Sequence, residues 1–318
     1  MVITVTLNPA MDKTVYTDDF HIGRVNRIRS ERYDIGGKGI NVSKTLKNMG
    51  VQSTCTGFLG GRRENTFISE LATRDIKADF IHISGATRTN TKIIDLINTT
   101  SSDLNEAGPT VNSWELEWYM DHFDKICHNK DIVVFSGGTP EGVPVDIYYQ
   151  LIIKAKKLGA FTVLDTEGDL LAEGIKAKPD MIKPNQFEFS KLVGKDFNNI
   201  DSIAQAGYDL SCSGISKIMI SLGEKGAIFV FDGKVYYSEA IKVPVKSPVG
   251  AGDAMVAGGI YSYINGYTDK EFIDFSMASA AAAVASEGNE ASISDIKELL
   301  NKTKINVMEG FVDGCSRD

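Results

Sequence analysis

DIVVFSGGTPEGVPVDIYYQLIIKAKKLGAFTVL, residues 131–164, decides the fold. Asp131–Phe135 is a short, unbroken apolar run, the mark of a strand buried on both faces. Pro144 stands in the first turn of a helix expected over Pro144–Leu158, and Gly159 ends it. Phe161–Leu164 is a second buried strand. The same alternation extends outward in both directions. Towards the N-terminus, Val2–Leu7 and Ser53–Phe58 read as strands, and Asn41–Met49, Glu64–Arg74 and Ser113–Cys127 as helices, the last capped by Ser113. Towards the C-terminus, Met181–Ile182 and Lys217–Leu222 are strands. Gln186–Val193, Ile200–Ser211, Ala254–Ile264 and Lys270–Ser286 are helices, and the small-residue run Ala278–Ala285 belongs to a packed one. Strand–helix alternation of this kind predicts an α/β fold with a mainly parallel sheet covered on both faces.

Two segments break the pattern. Thr14–Ile35 and Thr89–Thr99 alternate polar and apolar residues with no helix between, as strands with one wet face do. They predict a small accessory sheet, a lid over residues 14–35 and 88–99. The main domain then takes 1–13, 36–87 and 100–309, leaving a tail at 310–318. Arg24, Arg27, Arg29 and Arg32 decorate the lid.

Bulk properties exclude whole classes of function. A net charge of −8 lacks the basic surplus of a nucleic-acid binder. No apolar run approaches the ~20 residues that span a bilayer, and the first residues read as a strand rather than a signal peptide. Cys55, Cys127, Cys212 and Cys315 have no CxxC or zinc spacing and are expected as free thiols in a reducing cytoplasm.

Five motifs carry chemistry. Pro248-Val-Gly-Ala-Gly-Asp-Ala254 opens a long helix; Gly250, Ala251 and Gly252 bare their N–H groups at its N-terminus, where an anion is favoured. Asp253 stands beside that anion site, the place for a base that accepts a hydroxyl proton. Alone, the same residues are equally a helix cap and turn. Gly36-Gly-Lys-Gly-Ile-Asn-Val42 lacks P-loop spacing; its glycines bring backbone near a sugar, with Asn41 to hydrogen-bond and Lys38 as a point charge, or else form a hinge. Asp12, in Asn8-Pro-Ala-Met-Asp12 after the first strand, lies where parallel sheets bind ligands, or in a turn. Asn185 and Glu188, in Lys183-Pro-Asn-Gln-Phe-Glu188, suit a hydrated Mg²⁺, though a capping box explains them equally well. Ser221-Leu-Gly-Glu-Lys-Gly-Ala227 is a tight turn that touches phosphates or merely closes a hairpin. Arg88 and Asn90 begin the second lid segment, where an Arg forks onto a phosphate or stays at the surface.

Each motif is weak by itself, but their order is specific. TLNPAMD, GGKGINVS, SGGTPEG, KPNQFE, SLGEKGA and PVGAGDAM together resemble the PfkB family of the ribokinase superfamily, in its phosphosugar branch, from residue 2 to about residue 305. The resemblance implies a ribokinase-like three-layer α/β/α domain with a β lid. It implies that Asp253 is the catalytic base and Gly250, Ala251 and Gly252 the anion hole. It places Asp12, Gly36, Gly37, Asn41 and Asn90 on the sugar and Lys38, Arg88 and Arg27 on its phosphate. It gives Lys183, Asn185, Ser221, Gly223 and Gly226 to ATP, and Mg²⁺ to Asn185 and Glu188 through water. The implied reaction converts fructose 1-phosphate to fructose 1,6-bisphosphate, with tagatose 6-phosphate as the alternative acceptor and a non-catalytic sugar-phosphate sensor as a more distant one. It leaves open a monovalent cation near Gly250 and a homodimer through the lid. Gly138 departs from the family, which often has a hydroxyl residue there, so a substrate contact by that loop is not implied.

Overall fold

The computed structural model describes residues 1–247, 249–286 and 291–311. The strands are β1 (Val2–Thr6), β2 (Ala10–Thr17), β3 (Ile28–Gly36), β4 (Ser53–Gly60), β5 (Lys77–Ala78), β6 (Ile81–Ile83), β7 (Arg88–Asp95), β8 (Thr100–Asn105), β9 (Ile132–Ser136), β10 (Phe161–Asp165), β11 (Met181–Ile182), β12 (Lys217–Ser221), β13 (Ala227–Phe231), β14 (Lys234–Ser238) and β15 (Ile305–Met308). The helices are α1 (Lys38–Asn48), α2 (Glu64–Thr73), α3 (Ser113–Ile126), α4 (Ile147–Lys157), α5 (Gly168–Gly174), α6 (Gln186–Val193), α7 (Ile200–Ser211), α8 (Ala251–Ile264), α9 (Asp269–Ala285) and α10 (Ile293–Leu299).

The 131–164 stretch folds as its pattern requires: β9 and β10 lie side by side in parallel, joined by α4. The main sheet runs β15-β14-β13-β12-β11-β10-β9-β1-β4-β5, with β6 also on β4. It is parallel from β5 to β12 and antiparallel from β12 to β15. Period-two alternation feeds two separate layers. Val133 and Phe135 pack with Tyr119, Phe123, Leu151 and Ile203 on one face; Ile132 and Val134 pack with Val42, Leu46, Val256 and Phe272 on the other. Burying a side chain of this size contributes about 1.5–3 kcal/mol, so neither layer is dispensable.

Local chemistry moves some helix starts. Asn112, not Ser113, caps α3: the Glu115 carboxylate accepts from the Asn112 backbone N–H at 2.8 Å. Pro144 ends in a turn before α4, its carbonyl accepting from Ile147 N–H, and the helix begins only at Ile147. Cys55 and Cys127 are buried free thiols, whereas Cys212 is disulfide-bonded, contrary to expectation.

A separate four-stranded sheet, β3-β2-β7-β8, stands off the main one. Its strands reach Ala10, Gly36 and Asn105, beyond the 14–35 and 88–99 spans of the sequence reading, because the ladders Ala10↔Gly36 and Asn90↔Asn105 continue into the flanking motifs. Within the main sheet, β1 has β4 on one side and β9 on the other. Sheets of this kind bind ligands in the crevice outside the carboxyl ends of their parallel strands, where the strand order reverses. The tail expected from 310 lies, from 312 on, outside the described residues, as does Pro248 of the glycine-rich motif. Among the described residues no helix is long and apolar enough to cross a membrane.

Candidate active site

Gly250 caps α8 in the left-handed region, φ 88°, which glycine adopts without strain. The N–H groups of the first turn have no intrahelical partner and carry the positive end of the helix dipole. Asp253 lies in that turn, only 7% exposed. Its Oδ2 accepts from Asn41 Nδ2 at 2.8 Å. Asn41 belongs to the first turn of α1, directly after Gly36-Gly37, so packing of α1 against α8 brings together two motifs 212 residues apart.

A carboxylate outside the sequence motifs anchors the floor. Asp165, at the carboxyl end of β10, is 0% exposed, and its Oδ1 faces Lys38 Nζ at 3.2 Å and Lys183 Nζ at 3.3 Å. The only signal available in the sequence was an acidic residue closing a buried strand. Burial pushes Asp165 up, but Lys183 and Lys38 outweigh it and hold the group below the usual carboxylate value. Asp253 moves the other way, to about 7: burial dominates, Asp165 adds repulsion, and Asn41, Lys38 and Lys183 pull back only in part. Burial would lower the Lys38 ammonium, yet Asp165, Glu188 and Asp253 raise it. The glycine-rich loop faces this cluster, since a Cβ on Gly252 would lie 3.3 Å from Lys183 Nζ.

Across the crevice, β2 and β7 place Asp12 beside Asn90, whose Nδ2 donates to Asp12 Oδ1 at 3.1 Å. Gly36 leaves room for Asp12: a Cβ there would lie 1.9 Å from Asp12 Oδ2 and would displace that side chain. Gly37, at φ 130°, passes as closely over Thr6, where a Cβ would meet Cγ2 at 2.6 Å. Burial raises Asp12, partly offset by Asn90, Lys44 and Arg88. Arg88 donates to the carbonyls of Glu106 at 2.9 Å and Asn8 at 3.1 Å, pinning the base of the small sheet to the segment after β1. Arg27 does not join this group within the chain. It lines a depression with Lys13, Val15 and Thr17, which alternation along β2 puts on the face opposite Asp12.

Asn185 and Glu188 form the capping box of α6: Asn185 Oδ1 accepts from Glu188 N–H at 2.9 Å and Glu188 Oε2 from Asn185 N–H at 2.8 Å. Each keeps one side-chain polar atom free of that box. Asn185 bridges Ser221 across strand ends, and Gly223–Lys225 make the turn into β13. Gly223 borders open space, while a Cβ on Gly226 would lie 2.0 Å from Ser238 O, so packing of β14 accounts for that glycine. The SGGTP loop forms a wall of the crevice: Gly137 N–H donates to Asp165 O at 3.0 Å, and Gly137 O accepts from Thr166 Oγ1 at 2.8 Å and Tyr148 Oη at 3.0 Å. Thr6 Oγ1, Asn8 Oδ1, Ser136 Oγ, Asn90 Oδ1, Arg88 Nε and Asp165 Oδ2 are buried without a partner among the described residues. They lie at the ends of β1, β9 and β10 or at the base of the small sheet. Buried polar groups are costly unless hydrogen-bonded, so this concentration suits a polyhydroxylated, anionic ligand.

The model of the pfkB family carbohydrate kinases matches residues 5–296. The chain is 33% identical over 306 residues to the 1-phosphofructokinase of Borreliella burgdorferi, covering 96% of this chain and 98% of that protein. It is 34% identical over 276 residues to a tagatose-6-phosphate kinase of Staphylococcus epidermidis, covering 86% and 88%. Its fold superposes with a TM-score of 0.89 on Escherichia coli phosphofructokinase-2 in complex with potassium, at 25% identity over 94% of this chain and 98% of that one. An anion-favouring helix mouth and a buried carboxylate of raised proton affinity are what phosphoryl transfer to a hydroxyl requires, and the chain belongs to the pfkB family of carbohydrate kinases.

Proposed function

We propose that the protein transfers the γ-phosphoryl group of ATP to the free primary hydroxyl of a ketohexose phosphate, fructose 1-phosphate ahead of tagatose 6-phosphate. One observation carries this reading: Asp253 and the bare N–H groups of Gly250, Ala251 and Gly252 share a single helix turn, with Asn41 holding the carboxylate at 2.8 Å. A base and an anion hole in one turn act on the same oxygen–phosphorus pair. Asp253 accepts the hydroxyl proton late, because the transition state is loose, and the amides offset charge on the phosphoryl oxygens. Asp12, Asn90 and Asn41 orient the sugar. Lys38 and Arg88 face its phosphate, and Arg88 still has its Nε to give.

The nucleotide and its metal fit the residues present. Lys183 and Gly252 meet at the helix mouth, Ser221 pairs with Asn185, and Gly223 borders open space. Glu188 Oε1, which the box does not use, suits accepting from a water of hydrated Mg²⁺, while Asn185 Nδ2, a donor, suits a phosphate oxygen beside it. Bound Mg²⁺–ATP supplies the phosphoryl group and neutralises part of its charge. The potassium complex of the Escherichia coli relative supports a monovalent cation near the Gly250 loop.

The 1-phosphofructokinases of Borreliella burgdorferi and Haemophilus influenzae match 96% and 97% of the chain, and the tagatose-6-phosphate kinase of Staphylococcus epidermidis 86%, which supports this order of acceptors. Coupled ADP release with each acceptor decides it: kcat/KM should be higher for fructose 1-phosphate, and transfer to neither would end the proposal. Ile22, Val25, Ile28, Tyr33 and Leu104 leave apolar surface exposed on or beside the lid, which supports a homodimer formed there. Ile28→Asp should then shift sedimentation toward the monomer.

A further inference from the structure

Asp165 has no part in the reaction as described, yet it is the most deeply placed charge of the site. Lys38 and Lys183 converge on the same atom, Oδ1, at 3.2 and 3.3 Å, while Oδ2 is buried with no partner among the described residues. Two ammonium groups on one oxygen repel each other, so only the carboxylate between them keeps them there. Its own position is fixed by backbone: Asp165 closes β10 and its carbonyl accepts from Gly137 N–H at 3.0 Å. Lys38 arrives from the loop over Thr6, on the side of Asp12, and Lys183 from the end of β11, beneath Gly252.

Beyond Asp165, Lys38 faces Glu188 and then Asp253, and Lys183 also acts on Asp253. The groups around Asp253 are Asn41 and Lys38 on α1, Asp165 on β10 and Lys183 after β11; Glu188 of α6 faces Lys38. A lysine drawn onto Asp253 would cover the oxygen that receives the hydroxyl proton and would weaken it as a base. We infer that Asp165 is a positioning residue that holds Lys38 and Lys183 side by side and away from Asp253, leaving the base open while one lysine faces the sugar phosphate and the other the nucleotide. The catalytic consequence rests on the kinase reading; the placement of the lysines does not. The repulsion that Asp165 adds to burial at Asp253 is the electrostatic trace of the arrangement.

Asp165→Asn keeps the shape and removes the charge. Lys183 is then drawn to Asp253 and Lys38 is shared between Glu188 and Asp253, and a negative neighbour is lost, so the acid limb of the kcat/KM profile should move down by about one pH unit. The same variant should lower kcat at least about tenfold, since the base is now ion-paired. Lys38→Met, at a side chain 34% exposed, should move the limb the opposite way. The carboxyl ¹³C resonance of Asp253, assigned by its loss in Asp253→Asn, reports the same two opposite shifts without any substrate. A role in packing alone would lower activity or Tm and leave limb and resonance in place, and that result in the variants that fold overturns the inference. Should Asp165→Asn fail to fold, an unmoved resonance in Lys38→Met is enough to overturn it. Wild-type protein that phosphorylates neither ketohexose phosphate would defeat the kinase reading, while the ¹³C titration would still decide where the lysines sit.

Discussion

At the main-sheet wall of the crevice, Asp165, Lys183 and Asp253 are all buried, and each charge is held by another charge or by Asn41. At the lid wall, Asp12 and Asn90 share one hydrogen bond, Asp12 sits over a glycine, and β8 is exposed along its whole length. Buried charges tolerate no loss of a partner, because an unpaired charge in a dry site is expensive. A single hydrogen bond from a neutral amide to a carboxylate is worth about 1.5–3 kcal/mol net and can be exchanged for one to a substrate. The floor is therefore suited to chemistry and the lid to recognition. Changes to the floor should appear in kcat, and changes to the lid in KM.

The sharpest test of that division is Asp253→Asn. It should lower kcat by at least about 10²-fold, the usual scale for a general base, with the KM for phosphosugar almost unchanged. Near-normal kcat would take Asp253 out of the mechanism and erase the contrast. On the lid side, Gly36→Ala puts a methyl group where Asp12 Oδ2 stands. Asp12 must swing away, so KM for the phosphosugar should rise about tenfold with kcat largely kept. Asp12→Ala should do the same, and combining the two should add little, because both remove one contact. Additive losses in the double variant would show that Gly36 serves something other than Asp12.

The two walls also differed in how far they could be read from sequence. The main sheet was legible because buried parallel strands such as Ile132–Ser136 are unbroken apolar runs and the helices between them end at glycine. The helix-mouth motif placed Asp253 in the first turn of a helix, where the structure has it, although the motif alone reads equally as a cap and turn. Asp165 was not legible: DTEG after β10 resembles any strand end, and its meaning arises only when Lys38 and Lys183, 145 residues apart in the sequence (183 − 38), arrive at one oxygen. The face that Arg27 takes was not legible for a related reason. Composition put four arginines on the lid, but which face each takes depends on strand register, and the ladder shifts between Tyr16 and Thr17, next to its neighbours. The capping box at Asn185 and Glu188 was legible and is present, which leaves a metal role resting on Glu188 Oε1, the one acceptor the box does not use.

The smallest expected effect follows from proton affinity at the floor. In the folded protein Asp253 holds its proton up to about pH 7, against an ordinary value of 3.8. As pH rises between these values the unfolded chain gives up a proton that the folded chain retains, so folding becomes steadily less favourable, and the loss is complete above about pH 7. Below the ordinary value both forms are protonated and the residue contributes nothing. Asparagine has the same shape and never ionises, so Asp253→Asn should melt about 2–4 °C above wild type at pH 8, and the two curves should converge toward pH 4. The base would then be a residue whose charge costs the fold stability at the pH where activity needs it ionised. A variant that melts below wild type at pH 8 would mean that Asn41 and the two lysines favour the ionised carboxylate more than burial opposes it, and the floor would have to be regarded as a stabilising ion cluster rather than a strained one.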